Sequence, residues 1–231
     1  MTKIAIIPAR GGSKRIPKKN IKPFLGKPII AYSIEAAIKS NLFDYVIVST
    51  DDKEIKDIAL QYGALVPFTR SEKNSDDFAT TFDVIEEVLN WYKQQNITIE
   101  LACCMYATAP FITRELLYKA EDKLISNQFD TVFPAIRFGF PIQRAIKMVN
   151  SNGKFDLFQP EYLSSRSQDL EPAFHDAGQL YFFKPDIILE KKKLWTNNSG
   201  IIEIDELLAQ DIDNETDWKL AELKYQLAFG Y

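Results

Sequence analysis

The sequence predicts an α/β fold whose mainly parallel sheet is covered by helices on both faces. Short apolar runs alternate with longer segments in which apolar residues recur at helical spacing. Parallel neighbouring strands need a crossover between them, and the helical segments supply it. With 231 residues, 46% of them hydrophobic, the chain can bury one core as a single domain over residues 1–231.

The predicted elements follow in a regular order. Four buried strands are expected at residues 4–8, 45–49, 101–106 and 131–136, and four helices at residues 29–39, 53–62, 82–93 and 114–125. Two further strands near residues 179–183 and 200–204 precede a closing helix from about 215 to 227. Parallel sheets bind ligands beyond the carboxyl ends of their strands. The loops after Pro8, Thr50 and Tyr106 are therefore the expected location of the chemistry.

Residues 138–172 interrupt this alternation. They carry several glycines and prolines among polar and aromatic residues and show no helical stripe, which predicts an inserted antiparallel arm. Two interpretations remain open. The arm is either a plain surface hairpin or a dimerisation arm that pairs with a second subunit and helps to close the site.

Charge is segregated along the chain. Eight basic residues and no carboxylate precede Glu35, whereas residues 203–222 hold eight carboxylates and the single base Lys219. The basic opening segment suits an anion, and the acidic closing segment suits a hard cation such as Mg²⁺. Together they predict a metal-bound polyphosphate between the two segments.

Composition also excludes several classes of protein. A net charge of −4 argues against general nucleic-acid binding, which usually needs a basic domain. The chain has no run of about 18 apolar residues, and it enters a short strand within a few residues of its start. Neither a membrane span nor a signal peptide is supported, so a cytoplasmic protein is expected.

The loop after the first strand has the residue types of an anion site. Gly11 and the following glycine allow backbone N–H groups to approach an anion, while Arg10, Lys14 and Lys19 supply charged donors. The spacing matches neither a phosphate-binding P-loop nor the GxGxxG dinucleotide motif. The alternatives are a solvated charged loop or a basic localisation run.

The acidic pair Asp211 and Asp213 is the predicted metal site. The two residues are separated by one position, so in an extended segment both carboxylates project to the same side and can share one cation. Asp213 could instead cap the closing helix. The pair Asp51 and Asp52 is a rival metal site, although it suits the cap of the helix that begins near Lys53.

The opening loop, read as PARGGSKRIPKKN, resembles the signature of the nonulosonic-acid cytidylyltransferases, also called acylneuraminate cytidylyltransferases, which join CMP to sialic acid and its relatives. Further matches follow in order along nearly the whole chain: VSTDD at 48–52, Arg70, SDD at 75–77, Thr80 with Thr81, YATAPF at 106–111, RSQDLEPAFHDAG at 166–178 and DID at 211–213. The resemblance implies a Rossmann-like nucleotide-diphospho-sugar transferase fold, a homodimer formed through the arm, and a requirement for Mg²⁺.

The resemblance also implies roles for particular residues. The expected nucleotide-binding residues are Arg10, Gly11, Ser13, Lys14, Lys19, Asn20, Arg70 and Thr80. Catalysis is expected from Arg10, Lys14, Lys19 and Asp211, with the metal on Asp211 and Asp213. The general base is open between Asp211 and a metal-bound hydroxide.

The expected sugar-binding residues are Tyr106, Gln143, Arg166, His175, Asp176 and Gln179, with Arg166 as the partner of the sugar carboxylate. Enzymes of sialic acid have QPTSP where this chain has residues 106–110, so a phenol replaces a glutamine amide. This departure resembles the pseudaminic acid branch of the family. We therefore expect CTP and pseudaminic acid as substrates. The alternatives are sialic acid, legionaminic acid or Kdo, a metal-dependent glycosyltransferase, or a non-catalytic anion-binding module.

Overall fold

The computed structural model describes residues 2–230 and contains six α-helices within them. They are α1 (Ile29–Ser40), α2 (Lys53–Gln61), α3 (Thr81–Gln94), α4 (Arg114–Ser126), α5 (Pro185–Lys191) and α6 (Glu215–Phe229). Five of the six were expected from helical spacing, with bounds within two residues of those observed. The short helix α5 was not predicted. Its seven residues make only about two turns, which is too short for a clear helical pattern of apolar residues.

The described chain also has eleven strands. They are β1 (Lys3–Pro8), β2 (Pro23–Phe24), β3 (Lys27–Pro28), β4 (Tyr45–Ser49), β5 (Leu101–Met105), β6 (Thr131–Arg137), β7 (Ile146–Met148), β8 (Phe155–Leu157), β9 (Phe174–Asp176), β10 (Leu180–Phe183) and β11 (Ser199–Glu203). All six predicted strands are present. The very short strands β2, β3 and β9 were not predicted.

Seven strands form the central sheet, in the order β11, β6, β10, β5, β1 and β4, with β9 also paired to β6. Strand β1 is parallel to β4 and β5, and β6 is parallel to β11. Strand β10 lies antiparallel between β5 and β6. The predicted α/β fold with a mainly parallel sheet is therefore confirmed, and β10 and β9 are its antiparallel members.

Both faces of the sheet are covered, as predicted. Helices α1, α2 and α4 pack on one face against side chains such as Ile7 and Val48. Helices α3 and α5 pack on the other face against Ile6 and Ile47. Neighbouring strand residues face opposite sides of the sheet, so both members of each adjacent pair are buried.

A smaller apolar cluster joins the two ends of the chain. Ile16 from the opening loop and Phe24 pack with Ile212 and with Trp218 of α6, and all four are buried. The ring centroids of Phe24 and Trp218 are 5.7 Å apart in an edge arrangement. This packing brings the basic opening segment beside the acidic closing segment.

Strands β9 and β10 both pair antiparallel with β6, and a bulge separates them along the chain. Ala135 of β6 lies opposite Asp176, and Val132 lies opposite Phe182. Between these two pairs, β6 has two residues and the segment from β9 to β10 has five, so that segment contains three extra residues that form a bulge. The bulge lies beside the end of β5, where the backbone N–H of Tyr106 donates to the carbonyl of Gln179 at 2.9 Å.

The predicted antiparallel arm is present as a separate hairpin. Strands β7 and β8 pair only with each other, with Lys147 opposite Asp156. Several large apolar side chains of the arm are exposed to solvent, including Phe140, Met148 and Phe155. Within residues 2–230, no helix is both long enough and apolar enough to cross a bilayer.

Candidate functional site

A cleft lies at the carboxyl edge of the parallel strands, as expected. Pro8 at the end of β1 pairs with Ser49 at the end of β4, and the N–H of Ala9 donates to the Ser49 carbonyl at 2.9 Å. The loops that follow β1, β4 and β5 therefore begin side by side. They enclose a cleft of about 550 Å³.

Nine of the predicted site residues line this cleft together. They are Arg10, Ser13, Lys14, Lys19, Asn20, Arg70, Thr80, Tyr106 and Asp211. The residues come from four separate parts of the sequence, and the fold brings them to one surface. Four of the nine are basic and Asp211 is acidic, so the cleft can contact both an anion and the cation that accompanies it.

Short polar contacts shape the opening loop. The N–H of Ser13 donates to the Gly11 carbonyl at 2.9 Å, and the Asn20 amide donates to the Arg10 carbonyl at 2.9 Å. The Gly11 N–H is directed to Asp51 Oδ1 at 3.0 Å. In this structure that N–H, predicted to meet the nucleotide, is already bonded.

Glycine is required at position 11 because the loop lies close to α2. A Cβ atom there would lie 2.8 Å from Asp52 Oδ2. Asp52 caps α2 by accepting the Ile55 N–H at 2.9 Å, which confirms the interpretation of Asp52 as a helix cap.

The predicted meeting of the basic and acidic segments is confirmed. Lys19 Nζ donates to the carbonyl of Ile212 at 2.6 Å, and Arg15 pairs with Asp213 at 2.7 Å. Burial lowers the pKa of Lys19, and this effect is opposed by the nearby carboxylates Asp213 and Asp211. Lys19 is thus a partly desolvated cation beside two carboxylates.

Arg70 is held rigidly at the back of the cleft. Its side chain is buried, its Nε donates to Ser49 Oγ at 3.0 Å, and a second guanidinium N–H donates to the Ser49 carbonyl. Burial lowers the pKa of Arg70 to about 10, so the side chain remains charged at neutral pH. A fixed, charged guanidinium is suited to recognise an anion or a polar base.

The loop that contains Asp76 and Asp77 closes over the basic residues. Arg10 pairs with Asp77 at 3.1 Å and donates to the carbonyl of Asp76, and Lys14 also pairs with Asp77. The hydrogen bond and charge of Lys14 lower the pKa of Asp77. The carboxylate of Asp77 is therefore paired with Arg10 and Lys14, the two cations that were predicted to bind phosphate.

A second cavity of about 290 Å³ adjoins the first and shares Tyr106, Thr108 and Asp211 with it. Asp176 and Tyr181 complete its polar wall. It is formed by the bulge between β9 and β10.

The wall between the two cavities is a chain of hydroxyl groups and a carboxylate. The Tyr181 hydroxyl donates to Asp176, and the hydroxyls of Tyr106 and Thr81 lie 3.2 Å apart. The two tyrosine rings meet edge to face at 5.9 Å. Burial raises the pKa of Tyr106 and of Tyr181, so both phenols stay protonated.

Six predicted residues line neither of these two cavities: Gly11, already described, and five others. Gln143 and Arg166 belong to the exposed arm, where Gln143 donates to the Glu171 carbonyl and Arg166 pairs with Asp169 at 2.7 Å. His175 is exposed and lies against Phe138. Gln179 is buried and donates to the Leu208 carbonyl at 2.5 Å, and Asp213 is held by Arg15.

Sequence reasoning assigned no role to Arg15, Asp77, Thr81 or Tyr181. Arg15 was counted only as part of the basic run, and Asp77 only as part of a motif. Tyr181 carried a usable signal, since a phenol on a buried strand needs a hydrogen-bond partner. Its partner, Asp176, lies across the bulge, which the sequence pattern did not show.

Comparisons with known proteins agree with this geometry. A family model described as cytidylyltransferase matches residues 4–211. The chain belongs to the cytidylyltransferase family. The resemblance seen in the opening loop is thereby confirmed.

Several known proteins align with nearly the whole length of this cytidylyltransferase. A pseudaminic acid cytidylyltransferase from Campylobacter jejuni is 43% identical over 227 residues, which cover 98% of this chain and 97% of that protein. A CMP-N,N'-diacetyllegionaminic acid synthase from Legionella pneumophila is 31% identical, covering 97% of this chain and 96% of that protein. A solved structure of a CMP:2-keto-3-deoxy-manno-octonic acid synthetase complexed with CTP covers both chains fully with a TM-score of 0.71 at 17% identity, and supports the fold.

Replacing Asp77 with Asn should strengthen anion binding in the cleft. The wild-type carboxylate competes with an incoming phosphate for Arg10 and Lys14, and an exposed ion pair of this kind contributes little to stability because water solvates both partners. We expect CTP to bind about two- to fivefold more tightly to Asp77→Asn, as measured by calorimetry at low salt. The matched control is Asp57→Asn, an exposed acidic residue on α2 outside the cleft. Weaker binding by Asp77→Asn would mean that Asp77 supports the bound state.

Proposed function

We propose that the protein transfers CMP from CTP to pseudaminic acid in the cytoplasm and releases pyrophosphate. One observation carries the proposal. A basic cleft of nucleotide size opens into a smaller pocket, and the two share Tyr106, Thr108 and Asp211. Two substrates can therefore meet at one boundary. The 43% identity to pseudaminic acid cytidylyltransferases supports the choice of nucleotide and sugar acid.

The basic cleft suits the triphosphate. In the proposed reaction the anomeric hydroxyl of the sugar attacks the α-phosphorus in line, and the bond to pyrophosphate breaks. Negative charge develops on the phosphate oxygens during this step, so preorganised cations accelerate it. Arg10, Lys14 and Lys19 would supply these cations, and Lys19 is already partly desolvated beside the boundary of the two cavities.

The smaller pocket suits a sugar acid with few hydroxyl groups. Its wall combines the aromatic rings of Tyr106 and Tyr181 with the carboxylate of Asp176. Pseudaminic acid has a 9-deoxy end and a second acylated amine, so an aromatic wall with a few polar groups complements it. Arg166 remains the predicted partner of the sugar carboxylate. Because it lies on the arm, this contact would require the arm to approach a cleft, either its own or that of a second subunit.

The residues at the boundary also fit a divalent cation. Asp211 lines both cavities, and Asp213 follows it by two residues. No cluster of three or more His, Cys, Asp or Glu suited to a metal occurs within residues 2–230. Magnesium usually takes one or two carboxylates and completes its shell with substrate phosphates and water, so the pair suits a cation that arrives with CTP.

When bound, Mg²⁺ would neutralise charge on the phosphate oxygens. Asp211 and Asp213 would hold it, while Lys19 stays paired with the Ile212 carbonyl between them. Asp211 borders both cavities, which supports the proposal that it would also accept the proton of the attacking hydroxyl.

The arm supports the proposal of a homodimer. Its exposed apolar side chains include Phe140, which is 86% exposed, and Met148, which is 73% exposed. Soluble monomers seldom expose a contiguous group of large apolar side chains, and burial against a second copy would remove it from water.

A pyrophosphate-release assay tests the reaction. With CTP and Mg²⁺, we expect the largest kcat/KM with pseudaminic acid and lower values with legionaminic acid, sialic acid and Kdo, because the aromatic pocket lacks the polar partners of a more hydroxylated sugar. Mass spectrometry of the product should show CMP-pseudaminic acid. Pyrophosphate release with none of these sugars, or turnover of a nucleotide sugar instead, would contradict the proposal.

Removal of divalent cations tests the metal site. We expect EDTA to abolish turnover and added Mg²⁺ to restore it. Asp211→Asn, which keeps the shape of the side chain, should lower kcat by about 100-fold, because the charge that holds the cation is lost. Glu203→Gln, an exposed carboxylate of the same acidic segment, is the control and should leave kcat unchanged. Full activity in Asp211→Asn would refute the assignment.

Sedimentation measurements test the dimer. We expect the wild-type protein to have the mass of two chains and Phe140→Ser with Met148→Ser to have the mass of one, because the apolar contact is lost. Leu227→Ser, an exposed apolar residue of α6, controls for general effects of polarity. A wild-type monomer at micromolar concentration would contradict the proposal.

A further inference from the structure

We infer that Arg15 is an additional phosphate-binding residue, held by Asp213 until a divalent cation takes that carboxylate. The released guanidinium then contacts the β- and γ-phosphates, which leave as pyrophosphate. This inference rests on the proposed function. It adds to the site a residue that the sequence patterns did not single out.

The position of Arg15 supports this role. Its side chain lines the main cleft together with Lys14 and Lys19, and its Nη2 atom lies 2.7 Å from Asp213 Oδ1. The next residue, Ile16, is fully buried and fixes the backbone at this point. The side chain can therefore change partners without movement of the loop.

The pair with Asp213 can be exchanged at little cost. The side chain of Arg15 is 68% exposed and that of Asp213 is 41% exposed. Exposed ion pairs contribute little to stability, because water solvates both partners. A divalent cation at Asp213 would repel the guanidinium and compete for the same carboxylate. A phosphate group in the cleft offers the guanidinium two oxygens in a matching geometry.

The neighbouring cation Lys18 provides the contrast. It belongs to the same loop and is also exposed, but it pairs with Glu54 at 2.5 Å and does not line the cleft. Removal of its charge therefore changes the net charge of the loop by the same amount as removal of the Arg15 charge. Of these two exposed cations, Arg15 alone lines the cleft and pairs with a proposed metal ligand.

The test measures two affinities that should change in opposite directions. Binding of Mn²⁺ alone is followed by water-proton relaxation, and binding of pyrophosphate in the presence of Mg²⁺ is followed by calorimetry. For Arg15→Gln, we expect Mn²⁺ to bind about threefold more tightly, because a competitor for Asp213 is removed. Pyrophosphate should bind about tenfold more weakly, because a charged donor is lost. Arg15→Lys should recover part of the pyrophosphate affinity.

Lys18→Gln is the matched control, and both affinities should stay at their wild-type values. Unchanged affinities in Arg15→Gln, a loss of both together, or equal changes in Lys18→Gln would overturn the inference. Failure of the wild-type protein to bind Mn²⁺ would also overturn it. Turnover of CTP with pseudaminic acid is measured separately, so an inactive wild-type protein contradicts the proposed function, whereas wild-type affinities in an active Arg15→Gln contradict only the inference.

Discussion

The hydrogen bond from Lys19 to the carbonyl of Ile212 joins the two parts of the chain on which the site depends. Nearly two hundred residues separate them in sequence, and like charges are concentrated within each part. The burial of Ile16 and Ile212 in one apolar cluster keeps the two segments together. The hydrophobic effect thus provides the attachment, and the charged side chains lie at the surface of the cleft.

Strand β10 determines the second half of the site. It lies antiparallel between β5 and β6, so its first residues, and not its last, are at the ligand-binding edge. The preceding bulge places Asp176 at this edge, and Tyr181 of β10 bonds to it. A parallel strand at the same position would have placed its carboxyl end there and could not have entered from a bulge of this kind.

Much of this arrangement could be predicted from the sequence. Strands such as β4 have the predicted bounds because a short apolar run between polar segments has few alternatives. The antiparallel direction of β10 could not be predicted, because the pattern of apolar residues indicates which side chains are buried and not the direction in which a strand runs. The position of the Gln179 side chain could not be predicted from the sequence either. A resemblance grouped it with sugar-binding residues, whereas the structure buries its side chain against the Leu208 carbonyl. Partners that lie far apart in sequence, such as Arg10 and Asp77, follow only from tertiary packing.

The carboxylate of Asp77 has a consequence for discrimination among anions. Because Asp77 pairs with Arg10 and Lys14, the cleft presents a weaker positive field to the solvent than its basic residues alone would produce. Singly charged ions gain too little from displacing this internal counter-ion. A polyanion gains enough, because several of its oxygens bind at once. The loop thereby favours polyanions over singly charged ions at this site.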